Sequence, residues 1–147
     1  PAYGVDVLRY WVASTDYTAD VNISDSIVAK VSNNLKKLRN TFRFMLGNMY
    51  DFSRKDLVAY EDLLEVDKYM LHQLAYFVEE NTTNYDNYTF TKVQQSLQAY
   101  ANVELSAFYL NMVKERLYTN KPNSPLRRSA QTVIYYVGHT CIRISYL

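Results

Sequence analysis

The 147-residue chain has few of the residues that interrupt or cross-link a fold: one cysteine, three glycines and three prolines. A single cysteine excludes an internal disulfide and a cysteine-based metal cluster. So few glycines and prolines argue against a disordered chain or a β-protein with many tight turns. The composition therefore favours a helical protein, and we expect Cys141 to be a small, buried apolar side chain.

Long apolar runs are also missing. The sequence contains no stretch that is long and apolar enough to span a bilayer, and no signal peptide, so we predict a cytoplasmic protein without a membrane partner. The chain does not begin with Met, and it stops inside an apolar periodic pattern at residues 144–147. We interpret it as a piece of a longer protein.

The usual signatures of catalysis are absent from the sequence. It contains no glycine-rich phosphate loop and no nucleophile elbow, and its two histidines, His72 and His139, have no partner at metal-ligand spacing. Asp16 and Asp20 lack the glycine and the final glutamate of a calcium loop, so we expect them in turns. We predict no catalytic centre, metal or cofactor in this chain, and leave open whether a larger enzyme contains it.

The strongest pattern that is present lies between Ser24 and Tyr50. Apolar residues recur there at steps of three and four, which predicts one amphipathic helix, the longest element of the protein. We expect Ser24 to cap its N-terminus and Leu38 and Phe42 to lie in the core.

The rest of the chain also has helical periodicity. We predict a short helix in 4–14, a loop to residue 23, a surface connector over 51–62, helices over 63–80 and 89–118, a loop over 81–88 and a final helix that begins at Ser124-Pro125. The second of these long segments is expected to bend at residues 102–104. The pattern predicts an all-α protein, an antiparallel helical bundle of about five to six helices in a single domain over residues 1–147.

Charge is unevenly distributed although the net charge is only +1. Residues 24–50 carry five basic side chains and one acidic one, whereas residues 51–86 carry three basic and nine acidic ones. The cations and amides of the long helix lie away from its apolar stripe, and one candidate set for contact with a polyanion is Lys36, Lys37, Arg39, Asn40 and Arg43. An ordinary solvated helix face is the competing interpretation.

Several segments, in order along the chain, resemble the isoleucyl type of class I aminoacyl-tRNA synthetase. They are residues 3–14 (YGVDVLRYWVAS), 16–17 (DY), 20–24 (DVNIS), 39–48 (RNTFRFMLGN), 85–90 (YDNYTF), 105–110 (LSAFYL), 114–118 (KERLY) and 127–132 (RRSAQT). The valyl type is the nearest rival, because it shares a similar opening segment. The runs at residues 11–17 and 40–44 favour the isoleucyl type.

The resemblance implies an all-helical tRNA anticodon-binding domain, with residues 1–23 as a lead-in helix and loop from a catalytic domain. ATP and magnesium would belong to that catalytic domain, and zinc to a further C-terminal part found in many relatives. The implied partners are the anticodon stem-loop of isoleucine tRNA and the remainder of the synthetase. We therefore expect this chain to position tRNA and not to activate isoleucine itself.

On this interpretation the basic strip of the long helix is the primary tRNA-binding candidate, and Arg127 and Arg128 are secondary candidates. Two alternatives stay open. Arg39, Arg43 and Arg116 would instead pair with acidic residues of the 51–86 segment, or the whole chain would be a protein-interaction or structural module without RNA contact.

Overall fold

The computed structural model describes residues 3–16 and 18–145. The α-helices in these residues are α1 (Val5–Ala13), α2 (Asp25–Gly47), α3 (Glu65–Asp86), α4 (Phe90–Tyr100), α5 (Leu110–Thr119) and α6 (Pro125–Ser145). No strand occurs in these ranges, so the prediction of an all-α protein with five to six helices is confirmed. None of the helices described is long and apolar enough to cross a membrane.

The sequence pattern of α2 agrees closely with its structure. The Ser24 hydroxyl accepts a hydrogen bond from the backbone N–H of Ile27, which satisfies one free donor of the first turn. Leu38 is buried and Phe42 packs, partly buried, against the core. The helix ends at Gly47, three residues before the predicted Tyr50.

The predicted loop over residues 81–88 is wrong, because α3 continues to Asp86. The polar side chains of these extra turns bond to carbonyls of their own helix. Asn81 is fully buried and donates to the Phe77 carbonyl, and the Thr82 and Thr83 hydroxyls donate to carbonyls four residues earlier. Tyr88 then ends the helix in the left-handed region, at φ 54°.

The prediction that α2 is the longest element needs a correction. It is the longest single α-helix, at 23 residues, but α4 and α5 are joined without a break by a π-helical segment, Ala101–Tyr109. This π segment lies where a bend was expected at residues 102–104. Its wider turns keep the chain helical while they change which side chains face α2.

Contacts between the helices define an up-down-up-down bundle. The start of α3 contacts the start of α6 through Asp67 and Ser129, and their ends meet where the Tyr85 hydroxyl donates to the Ile144 carbonyl. The α4–π–α5 path runs opposite to α3, since Asn81 contacts Ser96. α2 runs with that path and opposite to α6, which confirms the antiparallel arrangement.

The connector between α2 and α3 lies on the surface, as predicted, and none of its residues is buried. It contains two short 3₁₀ turns, Arg54–Asp56 and Tyr60–Asp62, and crosses the beginning of α6. There the Val58 N–H donates to the Thr132 hydroxyl, and buried Gln131 donates to Asn48 and Asp51. The end of α2 is therefore fixed to α6 by polar contacts as well as by the core.

Candidate nucleic-acid interface

The polar face of α2 presents the predicted strip to solvent. Lys36, Lys37, Asn40 and Arg43 are all exposed, because the opposite side of the same helix supplies buried Val31, Leu38 and Met45 to the core. At about 100° per residue the four polar side chains fall within one sector of the helix. In the part of the chain that the structure describes, no salt bridge involves Lys36, Lys37 or Arg43.

Arg39 has a different role from its neighbours. Its guanidinium forms an ion pair with the Asp6 carboxylate of α1, and both side chains remain more than half exposed. The predicted internal pairing therefore occurs, but with α1 and not with the acidic 51–86 segment. An exposed pair of this kind contributes roughly 0–1 kcal/mol and leaves part of the guanidinium accessible.

A groove of about 530 Å³ runs between α2 and the α4–π–α5 path. Lys37 stands on one wall and Lys114 of α5 on the other. The remaining lining residues are amides, hydroxyls and apolar side chains, namely Asn40, Thr41, Phe44, Asn102, Ser106 and Leu110. None of these eight lining residues is acidic, so the groove combines positive charge with hydrogen-bonding groups.

Hydroxyl groups fix the floor of this groove. The Thr41 hydroxyl donates to the Lys37 carbonyl and lies 3.0 Å from the Ser106 hydroxyl of the π segment. These two hydroxyls join α2 to the π segment at a buried position of α2. This contact therefore joins the two walls of the groove.

An aromatic pair lies at the end of the same face. Phe44 of α2 lines the groove, is half-buried and packs against the core. Its ring meets the ring of Tyr118 edge to face, with centroids 6.3 Å apart, and Tyr118 is 64% exposed. Sequence reasoning missed Tyr118 and the facing position of Lys114, since both depend on how α5 lies against α2. The sequence itself shows only a short charged run there, Lys114-Glu115-Arg116.

Arg127, a secondary candidate, is only 4% exposed. Its guanidinium binds both carboxylate oxygens of Asp51, at 2.6 and 3.0 Å, and also donates to the carbonyls of Leu117 and Pro122. This bidentate pair holds the pKa of Asp51 down at about 2 and raises the pKa of Arg127. These contacts assign Arg127 to the internal structure and give no support to its prediction as an RNA contact.

Arg128 is also held by hydrogen bonds within the protein. It donates to the Asp51 carbonyl, the Gln131 amide oxygen and the Asn123 amide oxygen, and its side chain is 12% exposed. Both arginines of the predicted 127–132 motif therefore lie apart from the α2 strip. They fasten the α2–α3 connector to the start of α6.

Arg116 forms the internal pair that the sequence suggested with the acidic segment. It binds Asp67 of α3, whose carboxylate is fully buried, at 2.6 and 3.2 Å. The same carboxylate accepts hydrogen bonds from the hydroxyls of Tyr109 and Ser129. Four helical elements thus share one buried charge, and burial beside it raises the pKa of Tyr109 far above its usual value.

The remaining sequence expectations concern single residues. The Asp16 carboxylate accepts hydrogen bonds from the N–H and hydroxyl of Thr18, as expected for a turn, and this lowers its pKa. His72 is exposed, and Cys141 is buried, which raises the pKa of its thiol to about 12. In residues 3–16 and 18–145 no group of three His, Cys, Asp or Glu is placed to hold a metal ion.

Comparison with known proteins agrees with the all-helical fold. Residues 67–146, more than half of the chain, match a family described as the anticodon-binding domain of tRNA ligase, and the chain belongs to that family. Its similarity extends to isoleucine–tRNA ligases: 46% identity over 97% of this chain for the protein of Symbiobacterium thermophilum, and 49% over 90% for that of Microcystis aeruginosa. The chain spans about 15% of the length of these relatives.

Proposed function

We propose that this chain is the tRNA-binding domain of an isoleucine–tRNA ligase and that it holds the anticodon stem-loop against α2 and the groove beside it. The single observation that supports this most strongly is the difference in surroundings between two groups of basic side chains. Lys36, Lys37 and Arg43 are exposed on the polar face of α2, whereas Arg116, Arg127 and Arg128 are bound to internal carboxylates.

The chemistry of the groove suits a single-stranded or looped RNA. Lys37 and Lys114, on opposite walls, offer positive charge to backbone phosphates, and such contacts supply much of the affinity of nucleic-acid complexes. Asn40 and Asn102 offer amide donors and acceptors to base edges. Exposed Tyr118, whose ring contacts the groove residue Phe44, supplies an aromatic face on which an unstacked base can lie.

In this proposal the domain contributes orientation and no chemical step. A ligase of the relatives' length would carry out ATP-dependent aminoacylation in another part of its chain. Binding of the anticodon stem-loop would bring the distant acceptor end into position, which lowers the entropic cost of reaching the reacting geometry. We therefore expect disruption of this surface to impair charging of tRNA while isoleucine activation by ATP continues.

The direct test is binding of the anticodon stem-loop of isoleucine tRNA to the chain, compared with an unrelated hairpin of equal length and charge. The proposal expects tighter binding of the isoleucine stem-loop at every salt concentration. Equal affinity for the two hairpins would show that the surface binds polyanions without regard to their sequence. That result would contradict the proposed specificity. The same pair of RNAs tested with a ligase of full length would show whether the preference persists there.

A further inference from the structure

A cavity of about 270 Å³ lies among α1, α2, α4 and the end of α6. α1 contributes Asp6, Arg9, Tyr10 and Ala13, which share one side of the helix because they lie at positions i, i+3, i+4 and i+7. This cavity shares no lining residue with the groove between α2 and α5, so the two are separate features of the surface.

The floor of the cavity is apolar and buried. Leu38 of α2 and Val93 and Leu97 of α4 are 5%, 1% and 3% exposed. Ala13 lines the cavity with a single methyl group, so α1 does not fill the space itself. An apolar cavity of about 150 Å³ is already large enough to hold benzene, and this one therefore has room for a ring with a short substituent.

The rim of the cavity is charged. Asp6, Arg9 and Arg39 line it and are exposed. Asp6 and Arg39 pair with each other, whereas Arg9 has no ion-pair partner among the residues that the structure describes. Two guanidinium groups and one carboxylate give these three side chains a net positive charge, which favours an anionic ligand.

The walls of the cavity are joined to one another by polar contacts. The Tyr10 hydroxyl donates to Gln98 of α4 at 2.8 Å and accepts from Gln94 at 2.7 Å. The Arg39–Asp6 ion pair attaches α1 to α2 as well. The cavity is therefore formed by the folded chain itself, as is usual for small-molecule sites.

We propose that this cavity binds a small monocarboxylate whose apolar body lies on Leu38 and Leu97 and whose carboxylate pairs with Arg9. Arginine suits this role, because its planar guanidinium can donate two parallel hydrogen bonds to one carboxylate. Apolar walls with a few polar groups that fix orientation are typical of such sites. The site goes beyond the proposed function, since it does not require that the polar face of α2 binds RNA.

The test compares three ligands of one shape and different charge: 3-phenylpropionate, 3-phenylpropan-1-ol and 3-phenylpropylamine. In an NMR titration, the 147-residue chain should bind the carboxylate with a dissociation constant of about 4 mM or tighter, as expected for a ligand of roughly eleven non-hydrogen atoms. The alcohol and the amine should bind at least about tenfold more weakly, because they cannot form the charge-assisted pair with Arg9. Equal affinities for the three ligands would overturn the proposal, as would the absence of saturable carboxylate binding up to about 40 mM, tenfold above that constant.

Two substitutions then locate the bound carboxylate. Arg9→Gln removes the guanidinium and should weaken binding of 3-phenylpropionate by about tenfold. Ala13→Leu places a larger side chain in the cavity and should weaken binding as well. The matched control is Arg54→Gln, at an exposed arginine of the α2–α3 connector, and it should leave the affinity unchanged.

The same loss of affinity in Arg9→Gln and Arg54→Gln would show general charge attraction and contradict the site. Unchanged binding by Ala13→Leu, with a circular dichroism spectrum equal to that of the wild type, would place the ligand elsewhere and also contradict it. Arg9 is exposed, so Arg9→Gln decides the outcome even if Ala13→Leu does not fold. The stem-loop is not used in these titrations, so failure of RNA binding is distinguishable from failure of this inference.

Discussion

The cations of α2 and the arginines of α5 and α6 have opposite surroundings in the same small domain. Lys36, Lys37 and Arg43 are exposed side chains on a helix whose other face is buried. Arg127, in contrast, is only 4% exposed, and its guanidinium pairs with both oxygens of the Asp51 carboxylate. In sequence the two groups look alike, because each is a short run of basic residues beside an apolar stripe.

The difference between the two groups shows that a basic motif defines a binding surface only when the fold leaves its charge unmatched. A buried guanidinium needs a carboxylate and further acceptors, since an unpaired buried charge is very costly. Exposed lysines carry no such requirement, because water solvates them. The arginine pair therefore serves the connector and α6, whereas the α2 strip remains accessible to a polyanion.

The largest expected effect on stability is at the buried carboxylate of Asp67. Its replacement by Ala leaves Arg116 and two hydroxyls without their shared acceptor, so the free energy of unfolding should fall by about 3–5 kcal/mol. Urea denaturation measures this change. Glu61→Ala, at an exposed acidic residue, is the control. A decrease of less than about 1 kcal/mol would contradict the view that this hydrogen-bonded carboxylate contributes strongly to stability.

A smaller effect is expected from the apolar face of α2. Leu38→Ala removes a side chain that is 5% exposed and should lower the free energy of unfolding by about 2–5 kcal/mol. Leu46→Ala on the same helix, at a position 65% exposed, is the matched control and should cost far less. If both substitutions had the same small effect, the assignment of the two faces of α2 would be wrong.

The Asp51–Arg127 pair should appear in the pH dependence of stability. The pKa of Asp51 is lowered from 3.8 to about 2, so its contribution is fully present above pH 3.8 and disappears as the pH falls towards 2. Urea midpoints measured from pH 5 to pH 2 should fall more steeply in the wild type than in Asp51→Asn. Parallel curves would show that this carboxylate does not titrate as the geometry requires.

The smallest effect on stability is expected from the α2 strip. Replacing Lys36, Lys37 and Arg43 together by Ala should change the free energy of unfolding by roughly 0–1 kcal/mol per residue, because exposed charges contribute little. Thermal unfolding monitored by circular dichroism checks this. A large decrease would place the strip among the structural cations and remove the contrast between the two regions.

Much of the fold was predictable from periodicity, and the errors have local causes. The helix over Asp25–Gly47 and the restart at Pro125 follow from apolar spacing and cap residues. The loop predicted over residues 81–88 failed because threonine and asparagine side chains can return hydrogen bonds to their own helix, which composition does not reveal. The π segment has more residues per turn than an α-helix. A pattern of α-helical period therefore does not predict which of its residues face α2.

The candidate site was predictable only along a single helix. The spacing of Lys36, Asn40 and Arg43 places them on one face of α2 without any tertiary information. Lys114 and Tyr118 join that face through the packing of α5, whereas Arg127 is buried against Asp51. Such long-range pairings are not visible in one sequence.

The most direct test of the α2 strip as an RNA surface is the salt dependence of stem-loop binding by the Lys36, Lys37 and Arg43 triple alanine variant. Its matched control replaces Lys55, Lys92 and Arg143, which carry the same three charges at exposed positions outside the strip. We predict weaker binding for the α2 variant, with the slope of log affinity against log salt reduced by about 0.7–0.9 for each phosphate that it no longer neutralises, and a smaller change for the control. Equal affinities and slopes for the α2 variant and the wild-type chain would contradict the assignment of the α2 strip to RNA.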